Sequence, residues 1–192
     1  MNKINKSARN RLVFAAVFAS LIAVSNFFQI PTPIGVPIVL KNMFVVLSGT
    51  ILGSFYGGIA VLILIAAGLV GIPVFVIPGG IGVFITPLGG YITGYFIASL
   101  CAGFICGIPK ITGRKTSLAA IIRVCVGSFF GFALILICGS VYMAFLKSMT
   151  LKAAFMAGTA PFIVADAIKF ALSIPPALAL RPIAARHING EG

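Results

Sequence analysis

The chain has 192 residues, of which 60% are hydrophobic and only 8% are charged, and its formal net charge at pH 7 is +12. Soluble domains carry charges on about a quarter of their residues, so this composition excludes that class. The apolar runs lack the two-residue alternation of an outer-membrane β-barrel, which leaves a bundle of helices. We expect a single transmembrane domain over residues 1–192, an all-α bundle of six spanning helices with a basic lead-in at 1–11 and a polar tail at 185–192.

The ionisable side chains do not form the usual catalytic or metal-binding sets. The four cysteines lie in apolar runs without C-x-x-C spacing, and the single histidine, His187, lies in the tail. The sequence contains no ATP-binding motif, so the energy for any active transport would come from elsewhere. The basic residues lie at the ends of apolar runs and form no stripe between aromatic residues. We expect no enzyme activity, no cofactor, no metal and no nucleic-acid partner.

The first span is expected at residues 12–28. Within it, Ala15, Ala19 and Ala23 recur at every fourth position and form one stripe on a helix, called here the alanine stripe. Small residues in this pattern let two helix backbones approach closely in a membrane. The stripe is expected to face either a neighbouring helix of this chain or another subunit. Ordinary alanine-rich composition is the alternative explanation.

Two shorter spans follow a break that is rich in proline. Prolines keep residues 29–37 extended, because proline interrupts helices and restricts the residue before it. The second span is expected at residues 38–55 and the third at 59–71. The third is barely long enough to cross a bilayer unless it begins near Tyr56.

Residues 72–90 are apolar but contain many prolines and glycines. Non-helical backbone is tolerated at membrane depth only where it is buried in protein or lines a cavity, so this glycine-rich segment is a candidate lid over a ligand site. Its glycines would bring backbone groups against a ligand, and Phe84 would supply an apolar wall. The candidate ligand-contacting glycines are Gly80, Gly82, Gly89 and Gly90. A re-entrant or surface loop without a ligand is the alternative.

The remaining three spans are expected at residues 88–108, 118–146 and 161–180. Tyr91 and Tyr95 lie four residues apart in the first of these, hence on one helix face. Facing inward, they would offer a pocket both aromatic rings and hydroxyl groups. Facing the membrane surface, they would belong to the interfacial aromatic belt.

Asp166 is the only acidic residue in the apolar body of the chain, because the other acid, Glu191, lies in the tail. On a helix, Asp166 and Lys169 lie about 60° apart around the axis and within reach of each other. Ionisable residues inside a membrane usually face the protein interior and mark a ligand or ion path. We expect this pair to form a binding site. The alternative is a self-neutralising pair that fixes the register of packed helices.

Six spans place both termini on one side of the membrane, together with the loop at residues 109–116. That side collects most of the Lys and Arg residues, so the positive-inside rule predicts cytoplasmic termini. The glycine-rich segment and Asp166 then share the outer half of the membrane. One polar couple beneath such a lid indicates capture of a small, mainly apolar solute with a few hydrogen-bonding groups.

Several segments, in order along nearly the whole chain, resemble the BioY family. They are V-P-I-V-L at 36–40, G-L-V-G-I-P-V-F at 68–75, G-G-I-G at 79–82, P-L-G-G-Y at 87–91 and D-A-I-K at 166–169. The G-L-x-G-x-P-V-F and P-x-G-G-Y elements together are specific, whereas the D-x-x-K pair alone would be a weak signal.

This resemblance implies a six-helix substrate-binding component (S component) of an energy-coupling-factor (ECF) transporter in a bacterial plasma membrane. It implies biotin as the ligand, with Asp166, Lys169 and Tyr91 at the site. It also implies a transmembrane coupling subunit and two ATPase subunits as partners, with the alanine stripe resembling the surface that meets the coupling subunit. An S component for a different vitamin and a stand-alone biotin facilitator remain as alternatives.

Overall fold

A computed structural model of the chain describes residues 3–30, 38–75, 80–109 and 117–188. These residues form seven α-helices, and the expected all-α fold is confirmed. The helices are α1 (Lys3–Val24), α2 (Lys41–Leu52), α3 (Ser54–Leu69), α4 (Leu88–Cys106), α5 (Leu118–Leu146), α6 (Leu151–Gly158) and α7 (Ile163–Ile188). Six of them correspond to the expected spans, and α6 is an additional short helix.

The helices have the lengths and composition of a multi-pass membrane protein. Within the described residues, four segments are long and apolar enough to cross a bilayer, namely Arg9–Phe27 in and after α1, Leu88–Cys106 (α4), Leu118–Leu146 (α5) and Leu151–His187, which covers α6 and nearly all of α7. The helices α2 and α3 are apolar but shorter.

The first and last helices extend beyond the spans expected from hydropathy. The helix α1 already begins at Lys3, so it includes most of the basic lead-in, and it ends at Val24 in a 3-10 turn over Ser25–Phe27. The helix α7 continues to Ile188, past the expected end at residue 180. It does so although it contains Pro175, Pro176 and Pro182. Neighbouring helices in a membrane protein compensate for the backbone hydrogen bonds that a proline removes.

Glycines allow α2, α3 and α4 to pack with their backbones in close contact. The chain turns between α2 and α3 at Gly53, whose φ of 83° favours glycine. A Cβ on Gly49 would lie 2.1 Å from the carbonyl oxygen of Ser99, and one on Gly57 would lie 2.6 Å from the Cα of Gly49. These positions therefore accept no larger residue without separating the helices. The helix α3 begins at Ser54, before the expected start at residue 59, and ends at Leu69.

Two segments expected to be irregular contain short helices. Part of the glycine-rich segment forms a 3-10 helix, Ile81–Ile85, and the loop after α5 contains α6. Two-residue strands, Gln29–Ile30 and Ile38–Val39, pair antiparallel and bring the end of α1 beside the start of α2. Parts of the expected proline-rich break, glycine-rich segment, basic loop and polar tail lie outside the described residues, namely 31–37, 76–79, 110–116 and 189–192.

Buried apolar side chains form two clusters in the described bundle. The first, called the Tyr95 cluster, includes Phe75 and Ile92 and contacts the start of the glycine-rich segment. The second, called the Ala15 cluster, includes Ile51 and Ala184 and lies around the far half of α7. The two clusters divide the molecule into two halves along α7.

Candidate ligand-binding site

The charged pair expected on the last spanning helix is formed and buried. Asp166 lies in the first turn of α7 and Lys169 one turn later, and each is 3% exposed. The Lys169 ammonium forms a salt bridge with Oδ1 of Asp166 and donates to the carbonyl oxygen of Val39 at 3.1 Å. A buried ion pair needs such additional hydrogen bonds, because removing two charges from water is unfavourable.

The start of α2 contributes residues that sequence reasoning missed. The side-chain amide of Asn42 donates to Oδ2 of Asp166 in a long hydrogen bond of 3.4 Å, and Asn42 is 9% exposed. Val39 contributes its backbone carbonyl, which no side-chain pattern reveals. The one signal for Asn42 is an amide at the start of an apolar helix, and this signal fits a membrane interface equally well. The ion pair is therefore held from α2 as well as from α7.

A cavity of about 250 Å³ lies beside the ion pair. This volume is slightly below the range of about 300–1,000 Å³ that is typical of small-molecule sites. Its walls are mainly apolar, and its polar lining side chains are Asn42, Tyr91, Tyr95 and Lys169. Asp166 is connected to this lining through Lys169 and Asn42. Among the residues that the structure describes, no group of three or more His, Cys, Asp and Glu side chains is placed to hold a metal ion.

Tyr91 and Tyr95 both face the cavity, as the inward-facing alternative predicted. The Tyr91 hydroxyl donates to the carbonyl oxygen of Gly158 at 2.6 Å and so joins α4 to the end of α6. A Cβ on Gly139 would lie 2.2 Å from the Tyr91 ring, so this glycine makes room for the ring against α5. Ala157 also lines the cavity, which makes α6 part of its wall. Contact between these tyrosines and a ligand stays a prediction.

The described part of the glycine-rich segment reaches the cavity through Pro87 and Leu88. Gly80, Gly82 and Phe84 lie outside the lining. A Cβ at Gly80 or Gly82 would meet nothing within 4 Å, so packing does not require glycine at either position. Gly80 has a φ of 98°, which does favour glycine. The predicted lid function of the segment and the predicted ligand contacts of these three residues stay predictions.

Gly89 and Gly90 lie at the start of α4 and also outside the cavity lining, and packing accounts for both. A Cβ on Gly89 would lie 2.5 Å from the carbonyl oxygen of Phe84. A Cβ on Gly90 would lie 2.3 Å from Cβ of Tyr142 on α5. The Tyr142 hydroxyl in turn donates to the Phe84 carbonyl. The two glycines thus let α4 approach the 3-10 helix and α5 closely, and their expected ligand contacts stay predictions.

The alanine stripe is largely packed within the chain, and its expected contact with a coupling subunit stays a prediction. Ala15 is 0% and Ala19 is 5% exposed, and Ala23 is half-buried. Ala15 belongs to the Ala15 cluster, and Ala23 packs against the Tyr95 cluster. Small residues permit close approach between helices of one chain as readily as between subunits. In the structure, the alanine stripe packs against other helices of the same chain, which was one of its two expected neighbours.

Comparison with known proteins gives one consistent family. The sequence profile of the BioY family matches residues 1–186. The chain is 39% identical to a probable biotin transporter BioY of Lysinibacillus sphaericus over 57% of its own length, and it spans only about half, 55%, of that relative. It is 35% identical to a probable biotin transporter BioY of Pyrococcus horikoshii, over 83% of this chain and 88% of the relative.

The fold agrees with a solved structure. The crystal structure of the S-component for biotin from an ECF-type ABC transporter matches with a TM-score of 0.77 at 29% identity, over 94% of each chain. The match of the family profile to nearly the whole sequence and the similarity to the Pyrococcus horikoshii relative point the same way. The chain belongs to the BioY family.

Proposed function

We propose that this chain captures biotin and acts as the substrate-binding subunit of an ECF-type importer in the bacterial plasma membrane. The observation that carries the proposal is the buried pair of Asp166 and Lys169, of which Lys169 lines a mainly apolar cavity. The relatives described above are named as probable biotin transporters, and the matching structure is an S-component for biotin. Their ligand is therefore the first one to test for this chain.

The ion pair retains hydrogen-bonding capacity for a ligand. An ammonium group has three N–H donors, and those of Lys169 to Asp166 and Val39 use two of them. The third is available to a ligand oxygen. A carboxylate offers about four acceptor positions, of which Lys169 and Asn42 occupy two on Asp166. We propose that Asp166 accepts from a ureido N–H of biotin while Lys169 donates to an oxygen of the ligand.

The remaining walls suit the apolar part of biotin. Its thioether ring and aliphatic chain require apolar surface, which Leu136 and Phe162 supply. The rings of Tyr91 and Tyr95 add flat apolar surface next to hydroxyl groups. This combination fits a small molecule with both polar and apolar parts better than it fits a bare ion, which would need a ring of polar groups.

We also propose that both termini are cytoplasmic and that the cavity belongs to the outer half of the membrane. The distribution of Lys and Arg between the loops supports this orientation. The partners would be a transmembrane coupling subunit and two ATPase subunits, in which ATP hydrolysis would reside. Because Ala15 and Ala19 are packed inside the chain, the exposed face of α1, which carries Ala16 and Val17, is the part of that helix available to a coupling subunit.

Equilibrium binding of labelled biotin to the purified chain tests the ligand. We expect saturable binding at one site per chain, competed by unlabelled biotin and not by thiamine or riboflavin. Competition by thiamine or riboflavin instead of biotin would assign the site to another vitamin. Biotin uptake into vesicles that contain this chain alone would favour a stand-alone facilitator over a subunit that needs ATPases.

Copurification tests the partner surface. A leucine at Ala16 is harmless where the helix faces lipid but obstructs a packed contact with another subunit. We expect Ala16→Leu to bind biotin normally and to lose copurifying coupling and ATPase subunits when all are expressed together. Unchanged copurification would exclude this face of α1 as the contact surface.

A further inference from the structure

Lys41, the first residue of α2, is a second buried cation, and the proposed ligand contacts do not use it. Its side chain is 2% exposed. Its ammonium donates to the side-chain oxygen of Asn26 and to the backbone carbonyl of Val74, each at 2.7 Å. It also lies 5.3 Å from the centre of the Phe75 ring, within range of a cation–π interaction. One side chain thus joins the turn after α1, the start of α2 and the segment after α3.

The start of α2 is not held by a side-chain cap. The residue at its N-cap, Leu40, offers no side-chain hydrogen bond to the first turn. An ammonium inside a protein is tolerated only where oxygen atoms or aromatic rings replace its water. The two oxygens and the ring around Lys41 therefore hold its charged end, and with it the first turn of the helix.

Two residues close to Lys41 in the chain, one two positions before it and one directly after it, contact the ion pair of the ligand site. Val39 accepts a hydrogen bond from Lys169, and Asn42 donates one to Asp166. Both Val39 and Asn42 also line the cavity. A movement of the turn that carries Lys41 would therefore displace two of the groups that orient the charged pair.

The contacts of Lys41 form a bridge between the start of α2 and the segment after α3, and that segment is itself fixed in place. The Phe75 ring packs so closely on α3 that a Cβ at Gly68 would lie 2.0 Å from it. The carbonyl oxygen of Gly68 also accepts a hydrogen bond from the backbone N–H of Gly80 at 2.6 Å. Lys41 is thus tied to a segment that is fixed on the end of α3. The bridge connects two supported parts of the fold.

We infer that Lys41 is a positioning residue for ligand retention: by joining α1, α2 and the segment after α3, it holds Val39 and Asn42 against the ion pair. This inference rests on the proposed function, because the retained ligand is biotin. Loss of the bridge loosens one side of a site that is already formed. The effect is therefore expected in the rate of ligand release more than in the rate of association, as in most variants of one binding site.

The experiment measures release of labelled biotin after addition of excess unlabelled biotin. In Lys41→Met, which keeps an apolar chain of similar length and loses the N–H donors, we expect release about tenfold faster and association within threefold of the wild type. In Lys41→Gln, whose side-chain amide still donates, we expect an increase of about threefold. Release at the wild-type rate in both variants would overturn the inference. If Lys41→Met does not fold, the rate of Lys41→Gln decides by the same criterion.

Arg181→Met is the matched control, because Arg181 also donates to backbone carbonyls but lies in the half of α7 away from the cavity. We expect this variant to lose thermal stability and to release biotin at the wild-type rate. An equal acceleration of release in Arg181→Met would show that Lys41 affects release only through the general stability of the fold, and it would also overturn the inference.

A readout without ligand separates this inference from the proposed function. In the biotin-free protein, backbone hydrogen exchange over residues 39–44 should be faster in Lys41→Met than in both the wild type and Arg181→Met. A wild-type protein that does not bind biotin contradicts the proposed function, whatever the exchange result. Unchanged exchange in Lys41→Met contradicts the positioning of this turn, whatever the ligand.

Discussion

The two halves of α7 each carry a cation inside the bundle, and the two cations have different partners. In the first half, Lys169 pairs with Asp166 and lines a cavity. In the second half, Arg181 donates to the carbonyl oxygen of Thr50 on α2. It also donates to the carbonyl oxygens of Cys106 and Gly107 at the end of α4, at 2.9 and 3.1 Å. Both cations have hydrogen-bond acceptors, but Lys169 lines the cavity described above and Arg181 is not part of that lining.

This difference separates a ligand site from a structural contact. The last carbonyl groups of a helix have no partner within it, and the helix dipole favours a cation there. Arg181 therefore satisfies the ends of two helices and fixes them to a third. Lys169 has a carboxylate partner and a remaining N–H group at a cavity wall. A charge inside a membrane protein indicates a ligand site when a cavity adjoins it, and otherwise it is as well explained by helix packing.

Lys169→Met is expected to have the largest effect. It removes the cation at the cavity wall and leaves the Asp166 carboxylate buried without its partner, which costs about 3–5 kcal/mol in comparable pairs. We expect biotin affinity to fall by roughly a hundredfold, together with a loss of thermal stability. Equilibrium binding and thermal unfolding of the purified protein measure the two effects.

The double variant Asp166→Asn with Lys169→Met distinguishes ligand binding from mere pairing. Replacing both charges removes the unpaired carboxylate, so most of the lost thermal stability should return. Biotin affinity should stay low, because the donor and the acceptor for the ligand are both altered. Recovery of affinity along with stability would show that the pair only fixes helix register, which was the alternative in the sequence analysis.

Arg181→Met is expected to affect stability alone. It deprives three backbone carbonyls of a charged donor, which should lower the unfolding free energy by roughly 2–3 kcal/mol and Tm by roughly 5–10 °C. Biotin affinity measured below the new Tm should stay within threefold of the wild type. A large loss of affinity at unchanged Tm would contradict the division of α7 into a ligand half and a structural half.

The sequence predicts the ligand half of the molecule better than its structural half. Asp166 stands out as the only acid in the apolar body, and Lys169 and the two tyrosines follow from helical spacing. Asn42 is missed, because its role depends on α2 crossing α7 at that level, and spacing within one helix carries no information about such a crossing. The carbonyl of Val39 is missed for the same reason.

Other differences come from patterns that fit two structures equally well. The alanine stripe predicts close packing but not the identity of the neighbour, and α1 uses it within the chain. The three prolines of α7 suggest an end to the helix, yet neighbouring helices support it through them. Arg181 resembles an interfacial charge near a helix end, and only the fold reveals the three carbonyl groups that it binds.

Ala15→Leu is expected to test the structural half by overpacking. Ala15 is 0% exposed within the Ala15 cluster, so three additional carbon atoms must displace α1 or its neighbours. We expect a loss of roughly 1–3 kcal/mol of stability, measured as a lower Tm, with biotin affinity unchanged. The adjacent Ala16→Leu is the control, because Ala16 is exposed and its Tm should equal that of the wild type. Equal losses in the two variants would contradict the inward orientation of the alanine stripe.

Tyr91→Phe is expected to have the smallest effect, and Tyr91 lies in the ligand half of the molecule. It removes the hydroxyl that donates to Gly158 and keeps the ring at the cavity wall, so the end of α6 is held less firmly there. One neutral hydrogen bond contributes about 0.5–1.5 kcal/mol, which corresponds to biotin release about two- to tenfold faster. Tyr142→Phe is the matched control, since its hydroxyl donates to the Phe84 carbonyl outside the cavity lining. If Tyr142→Phe accelerates release as much as Tyr91→Phe does, the glycine-rich segment contributes to ligand retention as much as α6 does. That result would support the predicted lid function, which the cavity lining alone does not support.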